Sequence, residues 1–478
     1  MRRHALSTFA VAAAATLALT QPAVAQVATA RGPAAPSGDR SAPAGAARAV
    51  VPDLRESAKR PTDTHDPRGD SYTTDTVKRK CSAHVCVHWV TTTDDATPSG
   101  WQDTTLSQME KIWDYEVGKL KFRAPMKDGT RGGNKKFDVY LKNLAPKGYA
   151  GYCAKEKSIG GGYTASSYCV LDNDFLPSEF EGRSPWANLR VTAAHEFFHA
   201  IQMAYDTDED AWLVESTATW MEERYADDVN DNRKYLPVSQ LAHPEEPLDI
   251  SLTGDTPQFG NWIWWEYLSS RVGNGIVRSV WTKAGEYDGG GGHMYSTQAL
   301  VSALKNEGTF KKRFGSYTAS AVAPASAWSE GAEWGLAAPP DATHMLSGGA
   351  STGSHTVTVD HLAASNIKLI PQTGVTGKIK IDVNGPSSSS APVAVVTVIR
   401  KSGNVTRTSM TLDGNGVGSG SYAFDAATVA SVTVTLTNAS TRFACWNRSG
   451  ADPAYSCQGT PKDDGRSFAY SAVNQAGS

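Results

Sequence analysis

The chain has 478 residues, a hydrophobic content of 40% and a formal net charge of -3 at pH 7. This length predicts two folded units with tails rather than one ordinary domain. The small net charge gives no electrostatic basis for binding nucleic acid or an anionic membrane, so neither is expected as a partner.

The N-terminus has the pattern of an export signal. A basic start, Met1–His4, precedes the apolar stretch Ala5–Thr20, and Ala23–Ala25 supplies a small-x-small site for cleavage before Gln26. A membrane anchor is the alternative, but this stretch is shorter than the roughly 20 residues that a span requires. We therefore expect a signal peptide over 1–25, a secreted, extracellular protein and no membrane-spanning segment.

Residues 26–75 are rich in Ala, Pro, Gly, Ser and Arg and contain few large apolar residues. Such a segment buries too little surface to offset the entropy cost of ordering it. It is predicted to be a disordered linker or a short pro-region.

The six cysteines form three sequence-local pairs, an even number that favours disulfides in an exported protein. The economical pairing is Cys81–Cys86, Cys153–Cys169 and Cys445–Cys457. A thiolate zinc site is the alternative, but the sequence contains no CxxC pair.

Residues 76–335 are predicted to form an α+β domain, because strand patterns come first and helical patterns follow without regular alternation. The predicted strands lie within 84–92, 137–141 and 168–171, and the predicted helices cover 104–120, 188–206, 210–227, 262–271 and 297–305. The run Trp262–Trp265 is interpreted as core rather than as a platform for carbohydrate.

After a predicted linker over 336–354, the sequence changes to short alternating runs separated by turns. These runs cover 356–360, 367–370, 378–383, 393–400, 405–412 and 431–437, a spacing typical of a β-sandwich. A C-terminal β-sandwich is therefore expected over 355–478, with no residue pattern that identifies a ligand for it.

The segment His195–His199 reads HEFFH and lies in a predicted helix. Residues four apart lie one turn apart on the same face, so both imidazoles can reach one ion. Glu196 borders that face, where a base would stand. This is the HExxH pattern of zinc peptidases, in which both His bind one zinc and the Glu acts as general base.

A catalytic zinc needs a third protein ligand, and Glu215 is the candidate. The short acidic turn Asp206–Asp210 makes the second helix antiparallel to the first and brings Glu215 near the two His. The turn itself is interpreted as solvated helix capping, with calcium binding as the alternative. On the second helix, Thr219 and Glu222 share the face of Glu215.

HEFFH followed by the WLxExxAxWxE helix resembles the gluzincin group of zinc metallopeptidases. It also resembles a group of secreted, mostly uncharacterised bacterial proteins classed as metalloproteases, over about residues 80–330. The resemblance implies a zincin-like domain with a zinc held by His195, His199 and Glu215, and with Glu196 as base. The chain has Val214 and Ser216 where many gluzincins have Asn and Gly, and Thr219 where some have Asp.

The expected function is therefore that of a monomeric zinc endopeptidase that cleaves protein or peptide substrates by a metal-activated water. A donor to the oxyanion is also expected, and the candidates are Tyr225, Tyr235, His243, Tyr267 and His293, with His293 and Tyr235 preferred. The alternatives are a secreted adhesion or binding protein with a structural or inactive metal site, and a glycosidase. His84 and His88 lie in strand-like sequence, where this spacing does not converge, and are discounted as ligands.

Overall fold

The computed structural model of the protein describes residues 59–63, 69–160, 163–252, 256–285, 287, 290, 294–447 and 455–475. The predicted signal peptide, most of the predicted linker or pro-region, and His293 lie outside these ranges. Within them, every helix is too short or too polar to cross a lipid bilayer. The described chain combines helices with several sheets, as expected for an α+β protein.

The first half of the chain builds a five-stranded mixed sheet. Its strands are β1 Lys78–Cys81, β2 Val85–Trp89, β3 Phe137–Lys142, β4 Gly151–Ile159 and β5 Thr164–Asp172. The spatial order is β1-β2-β3-β5-β4, with β2, β3 and β5 parallel and the outer strands antiparallel to their neighbours. β4 therefore forms one edge of the sheet.

Helices pack against this sheet and against one another. They are α1 Trp101–Trp113 (continued by a π-helical turn, Asp114–Lys119), α2 Pro185–Tyr205, α3 Ala211–Ala226, α4 Pro257–Gly260, α5 Trp262–Val272, α6 Gly275–Ala284, α7 Thr297–Ala303 and α8 Phe310–Ser320. All five predicted helices are confirmed within a few residues. Trp262, Trp264 and Trp265 are fully buried, so the tryptophan run is core.

The long helix α2 lies against β4 and β5 and also packs against α3. Its N-terminus is fixed by Ser184, whose hydroxyl accepts a hydrogen bond from the Ala187 amide, and by Pro185 at the first helical position. Apolar side chains of the sheet and of α2, among them Val139, Leu171 and Phe197, share one large core. This core holds α2 rigidly over the sheet.

The opposite face of the sheet is covered in part by residues from the N-terminal segment. Tyr72 packs against a smaller cluster that contains Tyr140, Tyr152 and Tyr168. Arg60 is 1% exposed and forms ion pairs with three carboxylates. The described residues of the segment predicted as a linker or pro-region therefore pack on the domain.

The C-terminal part consists almost entirely of strands. They are β6 Ala342–Leu346, β7 His355–Val359, β8 Ala363–Pro371, β9 Lys378–Asn384, β10 Pro392–Arg400, β11 Val405–Met410, β12 Val417–Ala423, β13 Val429–Asn438, β14 Phe443–Ala444, β15 Thr460–Pro461 and β16 Arg466–Gln475. The six predicted strands correspond to β7 to β11 and β13. The predicted linker 336–354 contains β6, which pairs in parallel with β8.

Two larger sheets, β11-β10-β13-β8-β6 and β12-β9-β16-β7, contribute apolar side chains to one shared core. On β13, Val432, Val434 and Leu436 belong to this core, as the two-residue period of a strand requires. The alternate residues Thr433, Thr435 and Thr437 are buried too. Thr437 contacts Thr318 on α8, at 2.7 Å between hydroxyl oxygens. The outer face of this sheet therefore packs on the helical part.

All six cysteines form disulfides, in the predicted local pairing Cys81–Cys86, Cys153–Cys169 and Cys445–Cys457. The first joins β1 to β2 and the second joins directly opposed residues of β4 and β5. Each bond therefore closes a local structure rather than linking distant parts of the chain.

Candidate metal centre

His195 and His199 lie on consecutive turns of α2, and their ring centroids are 4.7 Å apart. α3 runs back past α2 and brings Glu215 to the same place. Glu215 Oε2 lies 3.4 Å from His195 Nε2 and 3.7 Å from His199 Nε2. All three side chains are at most 5% exposed. The structure thus brings together the three residues that the sequence predicts as ligands.

The Nδ1 atom of each ring has a defined partner behind this cluster. His195 Nδ1 lies 2.7 Å from Glu222 Oε1, and His199 Nδ1 lies 2.7 Å from Gln202 Oε1. Gln202 Nε2 donates to Val214 O and to Thr217 Oγ1, so its other amide atom is the oxygen that accepts from His199. Both rings therefore use Nδ1 as a donor to these partners and turn Nε2 toward Glu215.

These convergent atoms satisfy one another poorly. Within the described chain, His195 Nε2, His199 Nε2 and both Glu215 oxygens are buried and have no hydrogen-bond partner. The candidate ligand atoms of these three residues all lie within 4.8 Å of one another. Because each of them offers an electron pair, they need a cation or protons between them. Two imidazoles and one carboxylate form a donor set that could hold a divalent metal ion.

The electrostatics of the cluster also favour a positive charge. Burial alone lowers the pKa of His195, but the carboxylates of Glu215 and Glu222 outweigh it and raise that pKa well above its usual value. Burial, helped by the charge on His195, lowers the pKa of His199. Without a metal ion, the cluster therefore holds a proton on His195, next to Glu215.

Glu196 follows the first His and lies outside the three-residue cluster. It is 4% exposed, and its Oε2 has no partner among the described residues. Burial raises the pKa of its carboxyl group to about 8; His195 opposes this rise, and Glu215 adds to it. A carboxyl group with this pKa can exchange protons near neutral pH.

An open cleft with an empty volume of about 560 Å³ leads to His195 and Glu196. Its lining also includes Gly151, Lys234 and Tyr235. Tyr235 stacks on Phe259, which in turn stacks on His195. Burial raises the pKa of the Tyr235 hydroxyl, which therefore stays protonated and can donate a hydrogen bond into the cleft.

The other candidate donors are not brought to this cleft. Among the described residues, its lining does not include Tyr225, His243 or Tyr267. The Tyr225 hydroxyl accepts from Gln108, His243 lies beside Glu245, and Tyr267 stacks on Trp264 in the core. His293 cannot be placed because it lies outside the described residues.

His84 and His88 stay apart from the cluster. His84 lies 2.8 Å from Glu110 and His88 lies 2.7 Å from Asp138, in both cases from ring nitrogen to carboxylate oxygen. Neither belongs to a group of convergent ligand atoms in the described chain. The two His therefore do not converge on one ligand site, as expected for this spacing in strand-like sequence.

The interpretation of the acidic turn as solvated capping is wrong. Glu209 and Asp210 are each 6% exposed, because the turn packs against α7 and the C-terminal part. Asp210 precedes α3 but its carboxylate does not cap it, since Oδ2 accepts from the Cys457 amide. Besides the cluster of His195, His199 and Glu215, two groups of carboxylates in the described chain bring their oxygens together, and each of these two groups includes an exposed residue. They are Asp172–Asp174–Glu179 and Glu223–Asp227–Glu330.

Sequence reasoning missed the roles of Glu222, Gln202 and Gly151. Two of them had a local signal, because Glu222 shares the helix face of Glu215 and Gln202 lies three residues after His199 on the same helix. Gly151 is placed by the packing of the edge strand, which no local pattern encodes.

Residues 52–289 match the sequence profile of a family described as "Family of unknown function (DUF6055)". No curated protein matches the chain. A solved structure that it resembles weakly is a GH115 4-O-methyl-α-glucuronidase with specificity for decorated arabinogalactans, at 7% identity and a TM-score of 0.16. The match covers 75% of this chain and 54% of that enzyme, so this chain spans about half of the enzyme's length.

Proposed function

We propose that the protein is a secreted zinc-dependent endopeptidase of the gluzincin type, with a zincin-like domain followed by a β-sandwich. The observation that carries the proposal is the set of buried, partnerless lone pairs on His195, His199 and Glu215. The Nδ1 atoms of the two His are bound to Glu222 and Gln202, so the Nε2 atoms remain to bind a divalent cation in place of a proton.

A zinc ion bound by these three residues would supply a Lewis acid for the scissile carbonyl and for a water molecule. Glu196, the residue after His195, would act as the base for such a water and would pass the proton to the leaving amine. Tyr235 faces the same cleft and would donate to the oxyanion of the transition state. Glu222 and Gln202 would hold the two imidazoles in the ligating tautomer.

Export is part of this proposal. The predicted signal sequence is supported by the disulfides, because three such bonds persist in an oxidising compartment and are rare in a reducing cytosol.

The test compares wild type with Glu196→Gln in the zinc-loaded mature protein, with an unfolded protein as substrate. We expect both to hold one zinc per chain, and the variant to lose at least about 100-fold in kcat because it has no base. Full activity of Glu196→Gln at equal zinc content would overturn the mechanism.

A further inference from the structure

The edge strand β4 lies close to Glu196 at Gly151, and a Cβ atom there would crowd its neighbours. It would lie 3.1 Å from Glu196 Cγ, 3.0 Å from Leu171 Cδ2 and 2.9 Å from Thr192 Cγ2, so these side chains would have to shift. The position is not one of the positive-φ glycines, so close approach rather than backbone conformation favours glycine here. β4 thus packs against the aliphatic part of the side chain of Glu196, the proposed base.

Two residues further along the same face, Cys153 contacts Glu196 twice. Its backbone amide donates to the Glu196 carboxylate. Its Sγ lies 2.7 Å from the Glu196 carbonyl oxygen, and Sγ of Cys169 lies 3.7 Å from the same oxygen. The disulfide is therefore packed between the sheet and the turn of α2 that carries the base.

This disulfide also fixes the strand itself. β4 is an edge strand and pairs only with β5 among the described strands, through a ladder that contains an irregularity after Lys155. Cys153 and Cys169 are directly opposed in that ladder and each is 1% exposed. The bond consequently holds the section of β4 next to Glu196 in register with the rest of the sheet.

We propose that the Cys153–Cys169 disulfide regulates the site: the base is positioned only after this bond has formed. The inference rests on the proposed peptidase function. When the bond forms, the two thiols together lose two protons and two electrons, and their sulfurs join. A disulfide oxidant of the export compartment takes up the electrons and protons and is reduced to two thiols. The chain would thus be inactive before export, although its metal ligands are complete.

The test uses the double variant Cys153→Ala/Cys169→Ala, with Cys81→Ala/Cys86→Ala as matched control. The control also lacks a short-range disulfide of the same sheet, but one whose sulfurs contact Asn134 instead of Glu196. Zinc content, kcat and KM, and the affinity for acetohydroxamate are measured on the full mature chain. A hydroxamate chelates the metal and also hydrogen-bonds to the base, so its affinity reports the position of Glu196 without turnover.

We expect Cys153→Ala/Cys169→Ala to keep one zinc per chain and its KM, to lose about 100-fold in kcat from a displaced base, and to bind acetohydroxamate about tenfold more weakly. The control should match wild type in all of these. Wild-type kcat and hydroxamate affinity in Cys153→Ala/Cys169→Ala would overturn the proposal.

Should the double variant fail to fold, Gly151→Ala tests the packing of β4 on Glu196 with the disulfide intact. It should show the same loss of kcat and hydroxamate affinity, and Gly151→Ala/Thr192→Ser, which removes the closest methyl group, should restore part of both. Unchanged values in Gly151→Ala contradict the proposal. If zinc-loaded wild type cleaves no peptide, the peptidase function fails, while the hydroxamate comparison still tests the positioning of Glu196.

Discussion

At the scale of single residues, the geometry of the cluster depends on contacts behind the histidine rings. Glu222 and Gln202 are both buried, and each accepts from an Nδ1 atom. The sequence predicts the three ligands because HExxH and a following Glu are local patterns. It does not predict that Glu222 contacts His195, because that contact spans 27 residues and depends on how the two helices cross.

Glu222→Gln should weaken zinc binding about tenfold, because the neutral amide still accepts from His195 but no longer raises the basicity of the ring. The measurement is zinc affinity by competition with a chromogenic chelator. Glu223→Gln is the control, since Glu223 is equally buried on the same helix and bonds instead to Asn232. Equal zinc affinity in wild type and Glu222→Gln would show that this contact does not support the site.

At the scale of elements, α2 and α3 are predictable from their apolar spacing, and β4 is not. The strand reads GYCAKEKSI, and its charged residues resemble a surface loop. Lys155 and Glu156 are nevertheless buried, and Glu156 pairs with Arg60 from the N-terminal segment. A long-range ion pair of this kind leaves no local pattern, so the strand and the docking of the segment both escape sequence analysis.

Arg60→Met should destabilise the protein by about 3–5 kcal/mol, because it leaves Asp128, Asp138 and Glu156 buried without their shared cation. Denaturant unfolding measures the change in free energy of unfolding. The comparison variant is Lys80→Met, whose ion pair with Asp103 is about half exposed on both sides, and which should cost less than about 1 kcal/mol. Equal small effects would mean that the N-terminal segment is not an integral part of the domain.

At the scale of the whole molecule, the C-terminal sheets are joined to the helical part by buried polar contacts. His361 bonds through both ring nitrogens, to Asp249 at 3.0 Å and to Asp464. Asp249 also accepts from the amide and hydroxyl of Ser456. The change to short alternating runs near residue 350 predicts where the strands begin. It does not predict that one face of a sheet is buried against the helices, since a strand face rich in Thr normally lies in solvent.

The His361 contact predicts a pH dependence of stability. Burial alone lowers the pKa of this imidazole, but Asp249 and Asp464 outweigh it and raise the pKa from 6.5 to about 9. Because the folded state binds the proton more tightly, the stabilisation is complete below pH 6.5 and is lost as pH rises through about 9. Its size is about 3 kcal/mol, because each tenfold gain in proton affinity corresponds to about 1.4 kcal/mol.

Free energies of unfolding measured between pH 6 and 10 should therefore fall in wild type, and His361→Gln should flatten that part of the curve. Asp360 is also close to His361, and burial and Asp464 raise its pKa, so Asp360→Asn serves to separate its contribution. A slope that is unchanged in His361→Gln would assign the pH dependence to other groups.

The central claim is that His195, His199 and Glu215 hold one zinc ion. The most direct measurement is the metal content of the purified mature chain by mass spectrometry of the elements, for wild type and for Glu215→Ala. The account predicts one zinc per chain in wild type, and in Glu215→Ala a loss of most of it after dialysis against a weak chelator. A wild-type chain without zinc after loading, or a Glu215→Ala chain that retains it fully, would contradict the account.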